Sequence, residues 1–554
     1  MTPSKAFRQA RDLLMQSHGD PDRASASFRW PELQAFNWTS HWFDDLAEGN
    51  RRPALRVVTD NGAETVSFAE ILDRSRRVAG YLRAAGVQRG DRILLMLTNV
   101  IPLWETMLAA IRLGAVVIPA TPQLTSADID DRIERGGARH MITDPHGAAK
   151  LTQPDRLCVK LATGSTPGFA PFDDARAATR AVDNAHTRAD DPLLLYFTSG
   201  TTAKPKLVQH THASYPVGHL STMYWLGLRE GDVHHNISSP GWAKHAWSCF
   251  FAPWNAGATV LVHESRFSAR HTIDMLRAEH VNTLCAPPTV WRMVALEPLG
   301  ERPLQLRELA SAGEPLNPEV IETIQHAWGI TVRDGYGQTE TTALVGNAPG
   351  LTVKPGSMGK PLPGYDVVLL DSSGRECDEG EVALRLTPRP LGLMHGYADD
   401  PTRTGLAMAS GFYRTGDEAR RDAEGYVHFI GRGDDVFKSS DYRISPFEIE
   451  SALLEHEAVA EAAVVPSPDP LRLSVPKAFI VVKPGVEENA VTARSILEFC
   501  KANLAPYKRV RRLEFAVLPK TISGKIRRVE LRNREAERRA RGERAASEFW
   551  SDDI

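Results

Sequence analysis

From Thr65 onward the chain alternates short aliphatic or β-branched runs with stretches whose apolar positions recur at helical spacing. The runs are DRILLML, IPLWETMLAAIRLG and AVVIPAT, and later ATVLVH, ARHTIDMLRAEH and VNTLCAPP. Strand, helix, strand alternation of this kind predicts parallel sheets covered by helices, an α/β domain. Between about Gly364 and Gly431 the texture changes. YDVVLLD, EVALRL and GYVHFIGR are divided by Asp-Ser-Ser-Gly and Ala-Glu-Gly turns, which predicts short antiparallel strands in a small β-rich subdomain over about residues 360–433. Beyond GRGDD the helix SPFEIESALLEH, the strands EAAVVPS and PKAFIVVK, the helix ARSILEFCKANL and the strand RRLEFAV form a compact α+β pattern. The expected division is a large domain over residues 1–433 and a small one over 434–554. The last stretch, LRNREAERRARGERAASEFW, is charge-dense and reads as a solvated helix or frayed tail.

Composition narrows the class only a little. At 554 residues the chain is too long for one core, and its 42% hydrophobic content, net charge of −3 and pI near 6.7 are ordinary for a globular enzyme and give no sign of a nucleic-acid partner. The cysteines Cys158, Cys249, Cys285, Cys377 and Cys500 are scattered and odd in number, which fits reduced thiols in a cytoplasm and neither a disulfide framework nor a zinc site. The longest apolar stretch, Met107 to Ala120, is broken by Arg112 and too short to span a bilayer. The start, MTPSKAFRQARDLLMQSHGD, has no continuous apolar core before a cleavage site; its basic amphipathic period leaves an organelle-matrix address open beside a surface helix.

Four segments carry candidate chemistry. Tyr196-Phe-Thr-Ser-Gly-Thr-Thr-Ala-Lys-Pro-Lys206 follows the apolar strand PLLLYF, and its hydroxyls, small residues and lysines suit a phosphate cradle, although it lacks the spaced G-K-[ST] of the P-loop. Asp334-Gly-Tyr-Gly-Gln-Thr-Glu340 combines a flat aromatic for stacking on a base, a hydroxyl and amide for phosphate, and a carboxylate able to hold Mg²⁺. Tyr413-Arg-Thr-Gly-Asp417 and Gly431-Arg-Gly-Asp-Asp435 offer a carboxylate for ribose hydroxyls and an arginine for phosphate. Leu518-Pro-Lys-Thr-Ile-Ser-Gly-Lys-Ile-Arg-Arg528 places a lysine after a Ser-Gly turn, where it could neutralise developing charge. Taken singly, each is equally compatible with a polar loop.

In this order and spacing, from about Asn37 to Arg532, the four segments resemble the adenylate-forming superfamily of acyl-CoA synthetases, adenylation domains and luciferases. GRGDDVFKSSDYRISPFEIESALLEHEAVAEAAVVPSPDP and SSPGWAKHAWSCFFAPWNAGATV are similar to its medium-chain acyl-CoA synthetase and aryl-CoA ligase branches. The resemblance implies activation of a carboxylic acid (medium-chain, branched or aromatic) by ATP as an acyl-adenylate, then transfer to coenzyme A. It implies that Thr198, Ser199, Gly200, Thr201, Thr202 and Lys206 close over the phosphates, and that Gly313, Glu314 and Pro315 with Asp334, Gly335 and Tyr336 form the adenine slot. Gln338 and Thr339 would touch phosphate, Glu340 would bind Mg²⁺, and Asp417 and Arg432 would hold ribose or phosphate. Lys525 would bridge carboxylate and α-phosphate during adenylation. The small domain would be mobile and turn about Asp434, exchanging Lys525 for a coenzyme A tunnel lined by Ser440, Asp441, Tyr442 and Arg443, with Arg472 and Lys508 beside it. Lys508, Arg509, Arg511 and Arg512 read equally as a cluster that draws in its phosphates and as a solvated basic edge.

Gln123, Trp242, Lys244, Trp247 and Gly337 would line the acyl pocket; acetate-specific relatives carry tryptophan at position 337, so glycine there implies room for a longer or aromatic acid. Three positions depart from the pattern: Ala203 and Asp441 stand at glycine positions, and Leu471-Arg-Leu-Ser-Val-Pro replaces an Arg-Gly-Glu loop. They leave open an acyl-AMP ligase that loads a carrier protein. An amino-acid adenylation domain would need a carboxylate near Trp242–Trp247, where lysine and histidine stand instead. A luciferase-like oxygenase or silent nucleotide-binding protein is disfavoured by Lys525, Glu340 and Asp417 together. Assembly into a homo-oligomer stays open.

Overall fold

The computed structural model describes residues 1–554 apart from 180, 181, 199–204, 440, 441, 471, 522–524, 552 and 554, and leaves out the side chains of residues 442 and 443. The chain divides into two compact units: Met1–Val367 with Leu384–Tyr413 and Gly425–Val427, and Val368–Ala383 with Arg414–Glu424 and His428–Ile554.

In the first unit, a nine-stranded sheet among the described residues runs through Lys360–Pro361, Ala343–Gly346, Val332–Gly337, Glu308–Ala312, Thr283–Ala286, Val233–Asn236, Thr259–His263, Pro53–Thr59 and Gly62–Ser67. Its middle pairings are parallel and its edges antiparallel. A second sheet runs through Gly396–Tyr397, Lys206–Thr211, Pro192–Thr198, Val116–Pro119, Arg92–Met96, His140–Thr143, Val159–Ala162 and Ala170–Pro171. Strands such as Arg92–Met96 are buried from Ile93 to Met96 because helices cover both faces of a parallel sheet, so their sequence is a near-continuous apolar run. The helix Ile101–Leu113 shows how sharply sequence sets such an element. Pro102 fits its first turn, Gly114 ends it at φ 67°, and every residue in it is buried. Arg112, the charge inside that apolar stretch, is matched by Asp44 at 2.6 Å. No helix among the described residues is long and apolar enough to cross a membrane.

The amino-terminal helix Pro3–Gln16 buries Phe7 and Leu14 completely, and Arg11 donates to the Asn255 and Ala256 carbonyls. Its amphipathic period is therefore accounted for by packing.

In the second unit, the antiparallel segments expected after Gly364 form a four-stranded sheet ordered Val367–Leu370, Glu379–Arg385, Phe412–Arg421, Val427–Arg432, most of whose residues group here. The division expected at Asp434 thus lies inside this unit. A further sheet orders Val459–Asp469, Leu473–Val482, Arg512–Phe515 and Glu548–Trp550 over a core of Ile449, Leu453, Val464, Ile480, Ile496 and Leu513. The charged tail forms the expected helix with most of its residues exposed or half-exposed, but it is anchored and not frayed. The helix Arg528–Ala540 buries Leu531 and Glu535, and Glu548–Trp550 adds an antiparallel strand to Arg512–Phe515.

Candidate active site

The first unit supplies most of the expected site. Pro192–Thr198 and Lys206–Thr211 pair as an antiparallel hairpin with Thr198 opposite Lys206, so the strands bring the two ends of the hydroxyl-rich segment together. Ser199, Gly200, Thr201 and Thr202, with Ala203, lie outside the described residues.

The strand Val332–Gly337 carries the next group. Asp334 is buried; its carboxylate accepts from the Leu316 amide at 3.2 Å and the Gly335 amide at 3.0 Å, tying the strand to the Gly313-Glu314-Pro315 turn. Burial pushes its carboxyl up to about 7, against those two amides and the charge of Lys244. Gly313 stands at φ 116°, a conformation that requires glycine, with no atom within 4 Å of where a β-carbon would point. Glu314 sits 3.8 Å from Arg292, a neighbour from a distant helix that no local pattern announces. Gly335 has a packing reason: the indole of Trp225 lies against both Gly335 and Gly346, and a β-carbon at either would collide with it. Tyr336 is half-buried, as stacking on a base would require.

Past the strand, the Thr339–Glu340 pair is held from three sides. His210 Nε2 donates to the Thr339 carbonyl at 2.7 Å, which the carbonyl as acceptor dictates, and its Nδ1 then accepts from Ser214 at 3.0 Å. Burial pushes this imidazole down to about 3, so it is neutral. The Met394 amide donates to the Glu340 carbonyl at 2.7 Å, and the Tyr397 hydroxyl donates to Glu340 Oε1 at 3.0 Å. Lys206 Nζ is 3.9 Å from the same oxygen. Gln338 accepts from the Tyr413 hydroxyl at 2.8 Å. His210 and Tyr397 escaped the sequence reading because they reach this turn across 129 and 57 residues.

The expected acyl-pocket residues occupy mixed settings. Gln123 is exposed, Trp242 and Lys244 are half-buried, and Trp247 is buried with its Nε1 donating to Tyr215 at 2.8 Å. The room expected over Gly337 is taken by Trp247, whose Cη2 would stand 2.6 Å from a β-carbon at that position. The same helical segment borders a cavity of about 20 Å³, room for about one water, lined by Leu95, Leu103, Trp104, Met107, Pro119, Tyr196, His245, Ala246 and Phe250. Burial holds His245 down to about 3, so no charge lines this space.

The second unit carries the rest. Arg432 Nε lies 3.2 Å from Asp417 and 3.8 Å from Asp434. Arg532 grips the same turn, donating to the Asp434 carbonyl at 2.5 Å and lying 3.2 Å from Asp435. Lys525 is exposed; the Thr521 amide donates to its carbonyl at 2.7 Å, and its own amide donates to Thr521 Oγ1 at 3.1 Å. Ser440 and Asp441 lie outside the described residues, as does Leu471; Tyr442 and Arg443 fall on a strand paired to Phe437–Ser439. Arg472 is exposed, and Lys508 pairs with Glu448. Arg512, expected to draw in phosphates, is instead buried and spent on Ser467, the Pro468 carbonyl and the face of Trp550.

Two helix-covered parallel sheets and a clamped Thr339–Glu340 turn define an α/β enzyme of the adenylate-forming kind. Residues 45–398 match the model of the AMP-binding enzyme family and residues 448–525 that of its C-terminal domain. The chain belongs to the AMP-binding enzyme family. It is 44% identical over 534 residues to 4-hydroxybutyrate–CoA ligase 1 of Metallosphaera sedula, with 94% of each chain covered. It is 38% identical to the mitochondrial acyl-coenzyme A synthetase ACSM3 of Mus musculus, with 96% of each covered. Among solved structures, the anthranilate CoA ligase AuaEII in complex with anthranoyl-AMP superposes with a TM-score of 0.84 at 26% identity, covering 92% of this chain and 99% of that one.

Proposed function

We propose that this acyl-CoA synthetase activates a compact, largely apolar carboxylic acid larger than acetate, in the size range between 4-hydroxybutyrate and anthranilate, the acids named for two of its relatives. The observation that carries the reading is the likeness to 4-hydroxybutyrate–CoA ligase 1, 44% identical with 94% of each chain covered. The small space walled by Trp104, Met107, Tyr196 and Phe250 is too narrow for an acyl tail, but its uncharged walls offer no counter-charge for a second carboxylate.

In the first half-reaction a carboxylate oxygen attacks the α-phosphorus of ATP, the bond to pyrophosphate breaks, and acyl-AMP forms. Tyr336 with the Gly313–Pro315 turn holds the base, and Asp417 and Arg432 hold the ribose and phosphate. Thr339 and Lys206 meet phosphate oxygens, and Lys525 stabilises the charge that develops as the new bond forms. Mg²⁺ fits this donor set, because it takes hard oxygen ligands, commonly one carboxylate plus substrate phosphates, and Glu340 supplies a buried carboxylate beside the expected phosphate lysine. When bound, the ion neutralises phosphate charge. In the second half-reaction the thiol sulfur of coenzyme A attacks the acyl carbon, the carbon–oxygen bond to AMP breaks, and the thiol proton passes to solvent. The scattered free cysteines support a reducing compartment such as the cytoplasm.

A panel of carboxylic acids, read in parallel for pyrophosphate release and for thioester mass, tests this. Compact apolar acids should give both products. Release driven best by acetate or by dicarboxylates would refute this reading, and adenylate without thioester would favour the carrier-loading alternative raised by Asp441.

A further inference from the structure

We infer that Tyr397 is a positioning residue for Glu340: its hydroxyl fixes one carboxylate oxygen, and its ring seats Lys206, so that carboxylate and ammonium are held near each other without closing into a direct pair. The inference deepens the proposed function and rests on the assignment of Glu340 to the cation.

Glu340 Oε1 accepts from Tyr397 Oη at 3.0 Å, while Lys206 Nζ stands 3.9 Å from that oxygen and 5.3 Å from the centre of the Tyr397 ring. Glu340 is 8% exposed and Tyr397 6%, so the carboxylate end of the pair is nearly dry, while the Lys206 side chain is half-buried. In such a setting a glutamate and a lysine with free rotamers would collapse into a contact ion pair, since the attraction grows as solvent leaves. A carboxylate engaged that way would be a poor partner for a cation, and the lysine a poor partner for phosphate. Tyr397 opposes the collapse at both ends. Its hydroxyl, a neutral donor, occupies Oε1 at hydrogen-bonding distance, and its ring face gives the ammonium an alternative seat.

The placement is built into the sheet. Tyr397 pairs with Val208 on the strand that begins at Lys206, so lysine and tyrosine are set by one register. On the other side the Glu340 carbonyl is fixed by the Met394 amide and the Thr339 carbonyl by His210, which leaves the glutamate side-chain rotamer as the remaining freedom. The phenol removes it.

Tyr397→Phe keeps the ring and deletes the hydroxyl. Binding of Mn²⁺ together with a non-hydrolysable ATP analogue, followed by electron paramagnetic resonance on the full chain, should weaken on the order of tenfold or more, the scale of a hydrogen bond to a charged group. Binding of the same analogue without metal should stay within about twofold, which a general structural lesion would not allow. Glu340→Gln should lose more, and the double variant no more than Glu340→Gln alone; Tyr397→His, which keeps a donor, should recover part of the loss. Wild-type Mn²⁺ affinity in Tyr397→Phe beside an impaired Glu340→Gln would overturn the role of Tyr397 alone, as would additive losses in the double variant. Wild-type metal affinity in Glu340→Gln would instead remove the assignment beneath it.

Discussion

The indole of Trp247 lies against the α-carbon of Gly337, so that a β-carbon at residue 337 would stand 2.6 Å from Trp247 Cη2 and closer still to the Thr342 carbonyl oxygen. Position 337 is therefore a packing contact between a strand and a distant helical segment, and the glycine makes space for tryptophan before it makes any for substrate. Gly337→Ala should cost about 1–3 kcal/mol by overpacking, read from thermal or urea unfolding. Pairing it with Trp247→Leu should return only the smaller part of that, because the Thr342 carbonyl oxygen, a backbone atom, stays in the way. A Gly337→Ala protein as stable as the wild type would show the contact to be slack.

His210 reaches the same turn from below. His210→Ala leaves the Thr339 carbonyl without its donor, at a cost of about 1–3 kcal/mol, and frees the Thr339–Glu340 turn. Pyrophosphate exchange should fall on the order of tenfold. Because burial holds the imidazole at about 3, its protonation contributes nothing to a pH–rate profile between 5 and 9, and His210→Gln, an amide donor, should restore part of the rate. Unchanged exchange in His210→Ala would reduce this histidine to core filling.

What could be read in advance follows from the range of each interaction. Arg92–Met96 and Ile101–Leu113 were legible because burial on both sides of a parallel sheet and helix caps leave local traces. The glycines of the Asp334–Glu340 segment were legible as a motif but not in cause: Trp225, more than a hundred residues away, explains Gly335. Tyr397 and Arg292 meet the site through tertiary packing alone and left no mark beside it. The tail was half legible. Its density of charge pointed to a largely solvated helix, but composition cannot show that Lys477 on another strand waits for Glu535 and Glu548.

Lys525 separates the two half-reactions. If it stabilises charge only as the carboxylate attacks phosphorus, Lys525→Ala should lower acid-dependent pyrophosphate release by about 10²–10³-fold. Transfer from a supplied acyl-adenylate to coenzyme A should remain within a small factor of wild type, measured as thioester by mass. Lys525 is exposed, so its truncation should leave the fold intact, which a melting curve checks. Equal loss in both assays would sink the division of labour.

The last prediction concerns Lys477, fully buried with its ammonium 2.6 Å from Glu514, 2.7 Å from Glu535 and 3.2 Å from Glu548. Burial alone would raise the carboxyls of Glu535 and Glu548, but hydrogen bonds and charge from Arg539 and Lys477 outweigh it and hold both below the ordinary 4.5. A carboxylate with a depressed folded pKa stabilises the fold above its unfolded value, and that contribution is lost as the pH falls through the folded one. Lys477→Met removes the shared cation and should destabilise the protein by about 3–5 kcal/mol near neutrality, because the carboxylates stay buried with too little positive charge. Below about pH 4.5 the unfolded carboxylates protonate, so the deficit relative to wild type should shrink on acidification. Denaturant melts at pH 7.5 and 4 measure it. A deficit that is constant or grows toward acid would mean that Lys477 stabilises through the contact of its ammonium with the Phe479 ring, 4.9 Å from the ring centre, and not through the carboxylates it gathers.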